Sequence, residues 1–558
     1  MKHKQIYIFI ALLMALSLLM AACQPAAAPA VEEPVAEEEM AEEVMEEEMA
    51  WEPMMISQEC GEGDYIKEFK AVDEMTVEFT LCKSDPAFLT KMAFTPFFIQ
   101  PAEWIQENGG TGELLEKTVG TGPWVLEKWE RGDSVTYTRF ADYWGEPAKA
   151  EKLVYRWATE SASRLLELQS GTVHYITNLG VDDLDIVKED ENLVLLPVPN
   201  PNTLYLAMTN TFDKWDDVRV RQAIAMGIDR QRIVDNFYPE GSEVASHFTP
   251  CTIPNGCDGD AWYDFDPDAA KALLADAGYP DGFETTIYYR DVFRVYLPEP
   301  GAVAVEFQTQ LKENLNIDAE VVVMESGEFI DESTQGNLDG LYLLGWGADY
   351  MHVTNFLDFH FSRNNPQYGD PVPEIYELLE EAAVLLDPGD LYTQANNKIR
   401  ELVPTVPIVH GAANNAAVAS LDGAHGPPIG PPLFAKNTPA DGDTIVFMQN
   451  AEPITVFCAD ITDGESLAAC RQSTEGLYVL DEKGEVVPAL AVSYESNEDG
   501  SHWTFTLREG VVFHDGSTLD ANDVVVSLEA ALDASSPLHT GDTGAFEYPA
   551  YLFGLMND

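Results

Sequence analysis

Six cysteines follow Cys23 in the chain, and they fall into three local couples. In an exported protein this spacing predicts the disulfides Cys60–Cys82, Cys251–Cys257 and Cys458–Cys470, out of the fifteen pairings that six thiols allow. Zinc is the rival chemistry and is poorly served, because no CxxC occurs and no His stands at ligand spacing from any couple. The Asp-rich stretch from Asp258 to Asp268 lacks the ligand spacing and closing Glu of a calcium loop, so it reads as helix capping and a solvated loop. His352 and His360 stand eight apart without a third placed ligand, which favours packing over metal. His514-Asp515-Gly516 has the residue types of an acid–base pair and, taken alone, looks catalytic. The chain contains no HExxH, GxSxG or GxxxxGK[ST], so the main hydrolase and nucleotide-binding signals are missing. No catalytic residue, resident metal or cofactor is expected.

The elements that position these residues read as mixed α and β. Met75 to Cys82 (MTVEFTLC) and Asp133 to Phe140 (DSVTYTRF) alternate like half-buried strands. Asp216 to Tyr238 reads as one capped amphipathic helix, and Asp264 to Gly278 opens on Asp-Pro-Asp and stops at Gly, predicting a helix from about Pro267 to Ala277. Leu341 to Leu344 is an apolar run that opens into Gly345-Trp346-Gly347-Ala348-Asp349-Tyr350, a strand end leading to a loop.

The chain has 558 residues, with 96 Asp and Glu against 31 Lys and Arg, a formal charge of −65. That balance disfavours nucleic acid, since phosphate binding needs clustered bases. The 46% hydrophobic content and the 10 Trp, 22 Tyr and 26 Phe are ample for packed cores. Lys2 and Lys4 precede an apolar run from Ile6 to Met20, then Ala21, Ala22 and Cys23, an export signal too short to be kept as a membrane span. Residues 24–55 hold 11 Glu and no Lys, Arg or Asp, which predicts an extended acidic tether. The remaining residues carry 85 acids against 29 bases, a charge of −56, so the globular part is acidic in its own right. A solvated surface suited to a salty exterior accounts for it.

Four segments, residues 118–145 (TVGTGPWVLEKWERGDSVTYTRFADYWG), 216–235 (DDVRVRQAIAMGIDRQRIVD), 264–282 (DFDPDAAKALLADAGYPDG) and 343–357 (LLGWGADYMHVTNFL), look like successive landmarks of the family 5 extracellular solute-binding proteins, the dipeptide and oligopeptide receptors of ABC importers. Residues 503–524 (WTFTLREGVVFHDGSTLDANDV) are similar to that family's most specific signature, and residues 444–456 (TIVFMQNAEPITV) resemble its opening strand. Both belong near the front of such a receptor, yet here they stand near the C-terminus. Joining Asp558 to Met54 restores the family order, so the sequence reads as a circular permutant. Residues 421–443, rich in Pro and Gly, would bridge the old ends as an irregular connection, and the region around Asp558 is expected to pack near residues 54–60.

The resemblance implies a periplasmic-binding-protein-like type II fold, with two α/β lobes around a hinge plus an extra domain. Carried over by segment, 1–23 is a lipoprotein signal with Cys23 lipidated, and 24–55 the tether. The extra domain takes 57–153 and 475–558, the first lobe 154–243 and 444–474, and the second lobe 244–420. The implied function is an extracytoplasmic, lipid-anchored, monomeric receptor that captures short peptides and delivers them to a permease with its ATPase subunits. The alternatives are a receptor for an oligosaccharide or chelated metal, or a non-transport surface protein on the same scaffold. Asp349 matches the acid that pairs with the peptide ammonium. Gly345 and Gly347 would leave room for strand-like pairing with the ligand, with Trp346 and Tyr350 beside them. Arg290 and Arg294 are candidates for the ligand carboxylate, and Asn450, Glu452 and Tyr205 would contribute from the first lobe. His514 becomes a turn residue away from the cleft.

Overall fold

The computed structural model describes residues 51–558 apart from Glu62, Asn200, Asp441 and Thr462. The export signal, Cys23 and the tether up to Ala50 lie outside the described residues. The tether's last predicted residue, Met55, already begins a strand, Met55–Ser57.

Strand Thr76–Leu81 alternates inward Val77, Phe79 and Leu81 with outward Thr76, Glu78 and Thr80, as its period-2 pattern requires. It sits centrally in a five-stranded antiparallel sheet ordered Met55–Ser57, Ile66–Asp73, Thr76–Leu81, His502–Leu507, Ala491–Ser496. Trp503 stands opposite Phe79 and Phe505 opposite Val77, so residues more than 400 apart in sequence share one register. Helix Ala521–Leu532 packs on this sheet. Asp520 caps it, accepting from the backbone N–H of Asn522 and Asp523, while the Asp523 carboxylate accepts from the Asp520 N–H. The C-terminal end of the chain lies beside the first described strand. The Asn557 N–H donates to Gln58 Oε1 at 2.9 Å, and the Met54 N–H donates to Asn522 Oδ1 at 2.9 Å.

A seven-stranded sheet follows the order Trp124–Glu130, Ser134–Arg139, Lys152–Trp157, Thr444–Gln449, Tyr175–Ile176, Ala413–Val418, Leu193–Val198. A six-stranded sheet follows the order Glu243–Val244, Thr405–His410, Asn202–Met208, Leu341–Gly347, Glu284–Arg290, Asp318–Met324. These sheets move three expected boundaries. Strands Trp124–Glu130 and Ser134–Arg139, assigned by sequence to the extra domain, hydrogen-bond onto Lys152–Trp157 and belong to the first lobe. Asn202–Met208, assigned to the first lobe, pairs along its whole length with Leu341–Gly347 and is the second lobe's central strand. All seven of its residues are buried, which only a strand covered on both faces can satisfy. Ala413–Val418 in turn leaves the second lobe and pairs with Leu193–Val198. The chain therefore crosses between lobes twice, between Val198 and Asn202 and between His410 and Ala413. Asn202 ties the crossings together: its Nδ2 donates to the Gly411 carbonyl at 2.6 Å, and the Gly411 N–H returns to its Oδ1 at 3.0 Å.

The stretch expected as one helix from Asp216 to Tyr238 is two helices, Val218–Gly227 and Arg230–Phe237, each with its own Asp cap, Asp217 and Asp229. A second N-cap inside an apolar pattern ends one helix and starts another. Helix Pro267–Asp276 is capped by Asp266, whose side chain accepts from the Ala269 N–H. The structure joins Cys60 to Cys82, Cys251 to Cys257 and Cys458 to Cys470. The described residues between 421 and 443 are largely irregular, as expected, but they are pinned in place: Leu421–Asp422 pairs with Thr438–Pro439, and Phe434 is buried against Tyr155, Tyr175 and Phe447. Among the described residues, no helix is long and apolar enough to cross a membrane.

Candidate ligand cleft

Strands Tyr175–Ile176 and Thr444–Gln449 run parallel, so their carboxyl ends open on the same edge, where α/β folds present ligand contacts. Asn178 and Asn450 stand there. From the second lobe, Leu341–Gly347 brings Ala348 and Asp349 to the same space. A cleft of about 270 Å3 lies between them. The first-lobe wall includes Thr177, Asn178, Asn415, Gln449, Asn450, Glu465 and Arg471; Val295, Ala348 and Asp349 line the opposite side, and Phe94 and Thr95 come from the extra domain. Pro427, Ile429, Gly430, Pro431 and Pro432 complete the wall, so the Pro/Gly segment is part of the cleft rather than a remote tie.

The polar groups are ordered before any ligand arrives. The Asn178 side chain donates to Asn450 Oδ1 at 2.8 Å, and Asn450 Nδ2 donates to Glu465 Oε1 at 2.6 Å. The Asn178 N–H donates to Asn415 Oδ1 at 3.2 Å, and Asn415 Nδ2 donates to the Tyr175 hydroxyl at 2.9 Å. Asn178 has φ of 53°, a left-handed conformation that Asn tolerates better than most residues. Such a network costs little reorganisation when a ligand binds.

Asp349 is half-buried, and its Oδ2 accepts from Asn355 Nδ2 at 3.1 Å. Burial pushes its carboxyl up to about 7; the Asn355 bond opposes the shift and nearby Glu547 adds to it. Among the described residues no cation pairs with this carboxylate. Arg471 is only 7% exposed, and burial pushes its guanidinium down to about 10. Its Nη2 donates to the Leu480 carbonyl, Gly430 lies against its Nη1, and among the described residues it forms no ion pair. A carboxylate and a guanidinium, both partly or wholly desolvated and neither in an ion pair among the described residues, thus line one cleft, with the charge of Asp481 acting on Arg471 from outside it. Such groups are costly unless a ligand compensates them.

Of the residues expected at the site, the structure brings Asp349 and Asn450 together. Gly347 has open space where a side chain would stand. The others fall elsewhere. A Cβ on Gly345 would meet Tyr296 and the Thr203 carbonyl, so this glycine permits internal packing rather than ligand approach. Trp346 stacks on Phe359 at 4.3 Å and donates to Asn355 Oδ1 at 3.3 Å. Tyr350 is buried, with its hydroxyl 3.1 Å from Thr354 Oγ1. Tyr205 is buried in the second lobe and accepts from Gln367 at 2.9 Å, because its strand belongs to that lobe. Glu452 turns toward the Trp124–Arg139 hairpin, accepting from Trp129 Nε1 and the Gly132 N–H. Arg290 donates to Ser326 Oγ and does not line the cleft, whereas Arg294 is exposed beside Val295 and its charge acts on Glu465. His514 bridges the GTGPW segment, with Nδ1 accepting from Gly120 and Nε2 donating to the Gly122 carbonyl. His352 lies 2.9 Å from Thr354 Oγ1, and His360 packs 2.8 Å from the Phe356 carbonyl.

Sequence reasoning missed Asn178, Asn415, Glu465 and Arg471. Asn178 was within reach, since it follows a strand as Asn450 does. Glu465 and Arg471 lie at the two ends of helix Gly464–Cys470, and nothing in that stretch announces a ligand.

Two lobes joined by two crossings, with a carboxylate and a guanidinium facing the cleft between them, have the arrangement of a solute-binding protein. The family model described as bacterial extracellular solute-binding proteins, family 5 Middle, matches residues 41–368 and 485–545, and the chain belongs to this family. It is 30% identical over 369 residues to a dipeptide-binding protein of Pseudomonas aeruginosa, covering 64% of this chain and 69% of that protein. It is 29% identical over 357 residues to heme-binding protein A of Haemophilus influenzae, covering 62% and 65%. The chain spans about two thirds of the length of these curated relatives. Among solved structures it resembles the dipeptide binding protein from Pseudoalteromonas sp. SM9913 in complex with Met-Leu, with a TM-score of 0.56, 26% identity, and coverage of 67% and 76%.

Proposed function

We propose that this protein is the extracytoplasmic binding component of an ABC importer, which captures short peptides between its lobes and hands them to a membrane permease driven by cytoplasmic ATPases. The observation that carries this reading is the unpaired Asp349 carboxylate sharing a cleft with the unpaired Arg471 guanidinium. A zwitterionic peptide compensates both, its ammonium at Asp349 and its carboxylate at Arg471. In this assignment Arg471 replaces Arg290 and Arg294 as the carboxylate's partner. A cleft of about 270 Å3 lies just under the usual range of roughly 300–1,000 Å3 for ligand pockets, which favours a short ligand. The curated relatives include dipeptide-binding and di/tripeptide-binding proteins of Pseudomonas aeruginosa. The protein delivers its ligand without transforming it.

Three further readings accompany this one. The leader and Cys23 make the protein a lipoprotein held to the outer face of the membrane, and the receptor acts as a monomer with three disulfides. The family's order is circularly permuted, a reading supported by the contact between Asn557 and Gln58 and by the five-stranded sheet that both ends of the chain build. Native mass spectrometry of the purified protein, before and after mild unfolding, tests the ligand class. A ladder of co-purified di- and tripeptides is expected; a sugar, haem or metal chelate in their place overturns the reading.

A further inference from the structure

With Asp349 and Arg471 assigned to the two ends of a peptide, one charged group in the cleft wall remains unused. Glu465 lines the same space from the first lobe. Its Oε1 is held by Asn450 Nδ2 at 2.6 Å, itself fixed through Asn178, its own backbone N–H also acts on the carboxylate, and among the described residues it forms no ion pair. The charge of Arg294 acts on it, but among the described residues the two form no ion pair, and Arg294 is exposed at the side of the cleft. The second observation comes from the opposite sign. Arg471, 7% exposed and in no ion pair, is the one base among the described residues lining the cleft, against the two acids Asp349 and Glu465. A zwitterionic ligand with neutral side chains satisfies Asp349 and Arg471 and leaves Glu465 with no ion-pair partner among the described residues, only the charge of exposed Arg294 acting on it. We propose that Glu465, positioned by Asn450 and Asn178, forms a subsite for a cationic ligand side chain, so that the receptor prefers short peptides containing lysine or arginine. This rests on the peptide reading above and adds the side-chain class to it. Asn450 is a positioning residue here: it aims the carboxylate and contributes no charge.

The test is isothermal titration calorimetry of the full purified receptor, stripped of co-purified ligand, with dipeptides of matched length that carry lysine or its uncharged analogue norleucine. The lysine peptide is expected to bind at least tenfold more tightly to the wild type, as a charge-assisted contact in a partly desolvated site supplies. Raising the salt concentration should narrow that ratio. In Glu465→Gln the ratio falls to within about threefold, chiefly through weaker lysine-peptide binding, while Glu465→Asp keeps part of it. Equal affinities for the two peptides in the wild type overturn the subsite and leave the peptide reading standing, a result that needs no variant to fold. A preference that persists in Glu465→Gln also overturns it. Failure of every dipeptide to bind sinks the peptide reading and the subsite together.

Discussion

Asp349 and Asn355 hold each other in a reciprocal pair: Asn355 Nδ2 donates to the Asp349 carboxylate at 3.1 Å, and the Asp349 N–H donates to Asn355 Oδ1 at 3.0 Å. Asn355 is fully buried and also accepts from Trp346 Nε1, so the acid's position is set from behind by a side chain that never faces the ligand. Trp346, expected beside the ligand, is in the structure a support for this pair.

Removing that support should be felt at the ligand. Asn355→Ala is expected to weaken peptide binding by about 1–3 kcal/mol, because the carboxylate loses its donor and rises further above its ordinary range. Calorimetry with a peptide recovered from the native protein measures this, and circular dichroism separates it from unfolding. Retained full affinity would show that Asp349 is held well enough without Asn355.

The pH dependence of binding follows from Asp349. Its carboxyl titrates at about 7 in the free protein, so at pH 5.5 it is mainly protonated and cannot pair with an ammonium group. Affinity should therefore rise as pH increases through 7. It should decline again above about 8, where a free α-amino group of ordinary pKa loses its proton. Binding pulls the carboxyl down and releases a proton near neutrality, so the heat should depend on the buffer. Asp349→Asn should flatten the acid limb and cost about 1–3 kcal/mol at pH 7.5. An affinity that is constant from pH 5.5 to 8 would remove Asp349 from ligand contact.

Arg471 makes a prediction that separates binding from folding. Arg471→Met keeps the apolar stem and removes a buried charge that forms no ion pair among the described residues, although the charge of Asp481 acts on it. The variant should bind free-acid peptides at least tenfold more weakly, while peptides ending in an amide bind it and the wild type alike. Its thermal midpoint should not fall. A drop in midpoint with unchanged discrimination between acid and amide would assign Arg471 to structure alone.

Asp358, which does not line the cleft, offers a stability test. Its Oδ1 is buried with no hydrogen-bond partner among the described residues, and burial pushes its carboxyl up to about 7 against the pull of Lys91. A raised carboxyl penalises the folded state wherever the group must ionise. The penalty is absent below the unfolded value near 4, grows as pH rises between about 4 and 7, and is complete above 7. Asp358→Asn should therefore raise the melting midpoint by roughly a few degrees at pH 8 and by less at pH 5. Thermal melts of both proteins at the two pH values check this; an equal shift at both would place the effect in packing instead.

Local signals carried much of this protein. Alternation in Met75 to Cys82, the Asp-Pro-Asp start of helix Pro267–Asp276 and the strand-end position of Asp349 were legible because each depends on neighbours a few residues away. The three local cysteine couples were legible too, and the structure joins each of them. Tertiary structure alone decided the rest. Asn202–Met208 reads as a strand, but only pairing with Leu341–Gly347 places it in the second lobe and buries Tyr205 away from the ligand. Gly345 and Gly347 are two residues apart and look alike in sequence, yet one faces Tyr296 and the other open space. Glu465 and Arg471 become a charge pattern only when helix Gly464–Cys470 meets a cleft edge built by strands from distant parts of the chain. The reason is physical: period and capping are set by the local backbone, whereas desolvation and unpaired charge belong to the space that several segments enclose together.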